Sequence, residues 1–247
     1  MRAANGVMTG SNGTLFEEAF ANWNKIPGSA WRLALLAACL SASIDVTFWA
    51  RGGHLSWMVA VAYLPISVLW TAAAYVGTLG IAHRPVSVGG YFRFLASYVA
   101  ILIPLIAAIV FPLLAGGDVS RNVRYGVFGI GLLVGLLIVS LLPAWLVAQS
   151  LSARLISPLK IVRATRGHRW SLIGLSLFVS ALGDAKLFGD IRKAGNVGDA
   201  LLAEGGSVLQ SLLTFAVAAS VAATAWHAAA RAEPDLGGSG ATSGTRY

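Results

Sequence analysis

Apolar residues run along this chain in blocks too long to be the core segments of a soluble domain. Five blocks, 31–50, 55–82, 92–115, 125–150 and 208–230, meet or approach the roughly 20 residues that a helix needs to cross a bilayer core about 30 Å thick. A sixth, starting at Trp170, is short. It reaches a spanning length only if the helix runs on through Gly183, Asp184, Ala185 and Lys186 to Phe188, which puts Asp184 and Lys186 at headgroup level. Ahead of the first block, Leu15, Phe16, Ala19, Phe20 and Trp23 recur at spacings of three and four, while Glu17, Glu18, Asn22 and Asn24 fall between them. That pattern predicts an amphipathic helix over 15–26, ended by Pro27-Gly28 and seated at the membrane interface. Residues 1–14 carry no periodicity and 231–247 are rich in Gly, Ser and Thr, so a disordered N-terminus and a flexible C-terminal tail are expected on either side of a membrane domain over 15–230. The predicted fold is all-α: a polytopic membrane protein with a six-helix transmembrane bundle and short amphipathic interfacial helices.

Composition sharpens this. Of 247 residues, 57% are hydrophobic and 11% charged, which excludes a soluble globular enzyme, a disordered chain and a secreted disulfide scaffold. The net charge of +8 would suggest nucleic acid in a soluble protein. In a chain of spans, charge is read loop by loop instead. Six spans put both termini on one side; that side collects twelve of the 18 Lys and Arg, against Arg51, Arg121, Arg124, Lys186, Arg192 and Lys193 opposite. The expected setting is therefore the bacterial inner membrane with both termini cytoplasmic, and the expected anionic partner is lipid rather than nucleic acid. Trp31-Arg32, Phe92-Arg93 and Arg169-Trp170 place an aromatic beside an arginine where blocks begin, as interface anchors do. The first apolar block is long enough to span, so no cleavable secretory signal is expected, and Leu36-Ala-Ala-Cys39 is a decoy for a lipobox because the chain stays apolar beyond it.

Candidate chemistry is sparse. Cys39 is the single cysteine, the four histidines form no i, i+3 or i+4 pair, and no nucleophile elbow, zinc-protease helix or phosphate loop is present, so neither catalysis, metal nor cofactor is expected. The most informative loop is 150–170, where Arg154, Lys160, Arg163, Arg166 and Arg169 gather without an acid. Ser157-Pro158 offers an N-cap and a proline at the first helical position, Gly167 a stop, and Leu159, Ile161, Val162 and Ala164 an apolar surface. A short interfacial helix follows, with Lys160, Arg163, Arg166 and Arg169 as candidate contacts to anionic headgroups, each contributing on the order of 1 kcal/mol. Positive-inside charge alone would also produce such a loop. Asp45 is the acid lodged well within an apolar block; an ion pair with Arg51, Arg121 or Arg124, a solvated interfacial carboxylate, and a proton or substrate site all remain open for it. Gly131 with Gly135, and Ala73 with Gly77, form small-xxx-small faces for close helix approach, within a bundle or against a second copy or another membrane protein. Pro65, Pro104, Pro112 and Pro143 should kink their helices, which keeps a small transporter or channel subunit as the alternative function.

Residues 141–172, with Leu-Leu-Pro-Ala-Trp-Leu followed by Ser157-Pro158 and Thr165-Arg166-Gly167, and the Phe16-Glu-Glu-Ala-Phe segment with Trp23 before the first span, resemble a family of bacterial six-helix inner-membrane proteins. It includes the YciC-type proteins and the membrane domain attached to some glycerophosphodiester phosphodiesterases. The resemblance implies six spans, no catalytic residue and a role tied to envelope or lipid homeostasis; the shortened, charged fifth span departs from it.

Overall fold

The structure, a computed structural model, describes residues 12–52, 57–114, 142–152, 154–185, 187 and 189–237, with scattered positions from 125 to 135. Among these residues it is all-helical, without a strand: α1 (Asn12–Ala21), α2 (Gly28–Ala50), α3 (Trp57–Ile81), α4 (Val88–Leu114), α5 (Pro143–Leu151), α6 (Pro158–Ala164), α7 (Arg169–Asp184) and α8 (Val197–Ala232), joined in places by 3-10 turns. Three helical stretches, Gly28–Ala50, Val61–Ile81 and Val197–Ala232, are long and apolar enough to cross a membrane; Val88–Ile103 is a shorter apolar one. The chain is a membrane protein by that measure.

Helix α8 is the centre of the bundle, touching α1, α2, α3, α5, α6 and α7. Its alanines make this feasible. Ala216, Ala219 and Ala223 share one buried cluster with Ala30 and Ala34 of α2 and Ala73 of α3, and small side chains let three backbones approach closely where no hydrophobic effect drives association. The opposite face of α8, with Val217, Val221, Ala225 and Ala229, packs on Tyr75, Phe94, Trp145, Ile161, Leu172 and Leu15. The large side chains turn outward instead: Leu35, Leu36, Leu40, Leu64, Val68 and Ile103 are exposed, an aggregation hazard in water and the required surface against acyl chains.

Helix ends follow local chemistry. Pro27 stands before α2, and its ring fills the space beside Gly80, where a Cβ would fall 2.5 Å from Pro27 Cδ; the entry of α2 and the exit of α3 are thus locked together. Helix α3 ends in a Schellman arrangement with His83 at φ +52°, His83 N–H donating to Gly80 O and Arg84 N–H to Leu79 O, before Pro85.

Five expectations need correction. Helix α1 starts at Asn12, inside the stretch expected to be disordered, and gives way at Ala21 to a 3-10 turn, Trp23–Lys25. It is docked on the protein, with Leu15, Ala19 and Asn22 buried against α7 and α8. The block 125–150 does not run unbroken to its end: Leu142 leaves helical geometry and Pro143, which cannot donate a backbone hydrogen bond, opens α5 at its first position, while 136–141 lie outside the described residues. Helix α7 ends at Asp184, not Phe188, because Gln210 of α8 donates Nε2–H to the carbonyls of Leu182 (2.7 Å) and Gly183 (3.0 Å). Helix α8 starts at Val197, eleven residues before the apolar block, since the Asn196 side chain accepts from Asp199 N–H and caps it. Finally, 231–237 is no loose tail: α8 continues to Ala232 and a 3-10 turn, Pro234–Gly237, buries Leu236.

Candidate functional site

Polar side chains gather at the two ends of the bundle. At the basic end, the segment after α5 is wired back onto that helix: Trp145 Nε1–H donates to Ile156 O (2.7 Å), Gln149 Nε2–H to Arg154 O (3.2 Å), and Ile156 N–H to Gln149 Oε1 (2.8 Å). These bonds hold Arg154 and Leu155 facing out. In α6, Ile161 is fully buried and Leu159 is 66% exposed; on the flanking residues Leu155 is 93% and Trp170 79% exposed. Arg154, Arg163 and Arg166 are exposed beside it and make no ion pair among the described residues.

The other two expected headgroup contacts are engaged within the protein. Lys160 Nζ lies 3.0 Å from Glu233 and 3.9 Å from Asp235, and the Glu233 carboxylate that accepts from it holds its ammonium above the ordinary lysine range. Arg169 donates to Val162 O (3.2 Å) and keeps Nε buried without a partner. Val162 itself is half-buried rather than turned outward. The Ser157 side chain makes no cap bond, and α6 stops at Ala164 through Thr165, whose N–H and Oγ1–H both donate to Ile161 O; Gly167 falls inside the following 3-10 turn.

Nearby, Glu18, Ala21, Asn22, Lys25, His227 and Arg231 line an open cleft of about 280 Å³. Arg231 donates both terminal nitrogens to the Glu18 carboxylate, at 3.3 and 3.1 Å. Lys25 donates to Asn22 Oδ1, and Asn22 Nδ2–H to the buried Thr224. The Arg84 guanidinium lies over the Trp226 ring, 5.2 Å from its centroid.

The opposite end holds Asp45. Its carboxylate accepts a short hydrogen bond from Tyr63 of α3. The expected pairing with Arg51 is absent: Arg51 is exposed at the C-terminal cap of α2, and Arg121 and Arg124 lie outside the described residues. On α8, which packs against α2, Glu204 is 7% exposed, with Oε2 buried and without a hydrogen-bond partner, and it lies close enough to Asp45 to feel its charge. Sequence reading missed Glu204, because Glu204-Gly205-Gly206 precedes the apolar block; the signal that could have found it is the Asn196-x-x-Asp199 capping pattern, which extends the helix across it.

Of the packing residues, Ala73 is fully buried, and a Cβ on Gly77 would stand 3.2 Å from the Phe215 ring and 3.4 Å from Ala219 of α8. Gly135 is buried and Gly131 half-buried, but most of their neighbours in sequence lie outside the described residues. No group of three His, Cys, Asp or Glu side chains among the described residues could hold a metal ion. Compared with known proteins, the chain matches no family model, no curated protein and no solved structure.

Proposed function

We propose that the chain is a non-catalytic inner-membrane protein of six spans, with both termini cytoplasmic, whose basic end binds anionic lipid at the cytoplasmic leaflet in the service of envelope or lipid homeostasis. The observation that carries this is the pairing of exposed Arg154, Arg163 and Arg166 with exposed Leu155, Leu159 and Trp170 on one segment. Cations beside outward apolar side chains suit a surface where phosphates lie above acyl chains. The twelve-to-six division of basic residues and the resemblance to the YciC-type family support the same reading.

In this reading the lipid contacts differ from the four expected from spacing. Arg163 and Arg166 remain, Arg154 joins them, and Lys160 and Arg169 instead hold α6 to the bundle. Native mass spectrometry of the whole protein with phosphatidylglycerol and phosphatidylcholine tests this. Wild type should retain the anionic lipid in preference, and the Arg154→Gln, Arg163→Gln, Arg166→Gln triple variant should lose roughly tenfold to a hundredfold of that preference, three contacts of about 1 kcal/mol each weakened by salt. Equal retention of both lipids by wild type would sink the proposal. The second reading, a small transporter or channel subunit, is favoured by the buried Glu204 facing Asp45.

A further inference from the structure

Lipid binding at the basic end leaves the acids at the other end unexplained. Glu204 is more than nine-tenths buried, its Oε2 has no partner, and the charged group acting on it is another acid, Asp45. Among the described residues no cation pairs with Glu204. Arg51 on α2 and Arg192 and Lys193 on the 3-10 turn Ile191–Lys193, which packs on both α2 and α8, are exposed and form no ion pair with either carboxyl. On α8, Asp199 is exposed and accepts from Asn196 Nδ2–H (2.9 Å), and Gln210 is spent on the end of α7. Asp190, before the turn, accepts from Arg192 N–H. From α3 comes Tyr63, whose hydroxyl goes to Asp45; the side chains of Asp184 and Lys186 lie outside the described residues.

A carboxylate buried without a counter-ion is strongly disfavoured, and two carboxylates facing each other in a low dielectric cannot both ionise without large repulsion. A proton resolves both problems with the residues at hand. Asp45 is half-buried and accepts a hydrogen bond from the Tyr63 hydroxyl, whereas Glu204 is buried and its Oε2 unpartnered, so Glu204 is where a proton relieves the greater burial cost. We propose that Asp45, Tyr63 and Glu204 form a proton-binding site, in which Glu204 carries the proton and the Asp45 charge favours its retention. Loading transfers one proton from water through the half-exposed Asp45 side to a Glu204 oxygen; release returns it, and only that O–H bond forms or breaks. Because Asp45 stands on α2 and Glu204 on α8, release leaves two negative charges across that helix contact, which couples the α2–α8 packing to proton activity.

The inference stands apart from lipid binding and is tested separately. Dicyclohexylcarbodiimide modifies protonated carboxyls in apolar surroundings, and peptide mass mapping of the full-length protein in detergent locates the adduct. Glu204 should be labelled at neutral pH while the exposed Asp199 and Glu17 are not, and labelling should fall as pH is raised, because the carbodiimide does not modify a deprotonated carboxylate. Glu204→Gln should abolish the adduct. Asp45→Asn, which removes the facing charge that favours the proton, should lower labelling at neutral pH several-fold. An unlabelled Glu204 in wild type, labelling that is flat across the pH range, or labelling that sodium ions suppress at fixed pH would overturn the proposal, the last in favour of a cation. The wild-type profile decides even if both variants fail to fold.

Discussion

At the basic end Glu18 faces Arg231, Glu233 and Asp235 face Lys160, and the Gln149 amide is matched on both its nitrogen and its oxygen; at the opposite end Asp45 has a phenol and the Glu204 carboxylate has another acid. The basic end is wet enough that Arg163 and Arg166 go unpaired at little cost, since water solvates them. Glu204 has no such recourse. Unpaired charge is therefore unremarkable on one side of this bundle and diagnostic on the other, and what separates the two cases is burial rather than residue type.

The largest test of the comparison is all-or-none and asks which end faces the cytoplasm. An alkaline phosphatase fusion at Tyr247 should be inactive; an active fusion would reverse the assignment of the basic end. Next come two leucine substitutions with opposite expected signs. Gln149→Leu strips partners from Ile156 N–H and Arg154 O and should cost about 2–3 kcal/mol in thermal denaturation in detergent. Glu204→Leu removes a carboxyl with no partner for Oε2 and should leave stability unchanged or raise it by about 1 kcal/mol. If Glu204→Leu cost as much as Gln149→Leu, the far-end acid would have a structural partner and the contrast would collapse. Asn22→Ala, which removes the buried hydrogen bond from the residue after α1 to Thr224 of α8, should cost about 1 kcal/mol by the same measurement.

The smallest effects belong to the exposed pairs. Arg231→Gln should change stability by no more than about 0.5 kcal/mol and less in high salt, despite its bidentate geometry. The Lys160 latch has its sign set by a raised lysine: the contribution is present through neutral pH and is lost as pH climbs past the ordinary lysine value of 10.5. Protection of the 233–237 amides, taken relative to their intrinsic base-catalysed exchange, should therefore hold at neutral pH and fall only in strong alkali. Early loosening near neutrality would mean that Lys160 does not hold this turn.

Much of the scaffold was legible because span length and apolarity are one-dimensional properties. The blocks 31–50 and 55–82 correspond closely to α2 and α3, and Ala73 and Gly77 do lie at a close helix contact. Hydropathy failed where a helix outlasts its apolar block. Helix α8 continues back through Glu204 and Asp199 because helical hydrogen bonds need no apolar side chains, only an end that is capped, and Asn196 caps it. It failed in the other direction at α7, where Gln210 claims the carbonyls of Leu182 and Gly183 and the helix stops at Asp184. That cations cluster over 154–169 was readable from the sequence, whereas the engagement of Lys160 depends on Glu233, more than seventy positions away.

The order of residues by itself determined that this chain is helical and belongs in a membrane, where its basic residues concentrate, and which small residues permit close packing. Those properties come from composition, period and length, which each segment carries alone. Only the tertiary structure decided which of the described cations are paired and which are not, that the first helix and the last turn are docked rather than loose, and that Glu204 is buried within reach of the Asp45 charge. Such pairings join segments up to 213 positions apart, and their chemistry arises from burial, a property that no side chain has until its neighbours surround it.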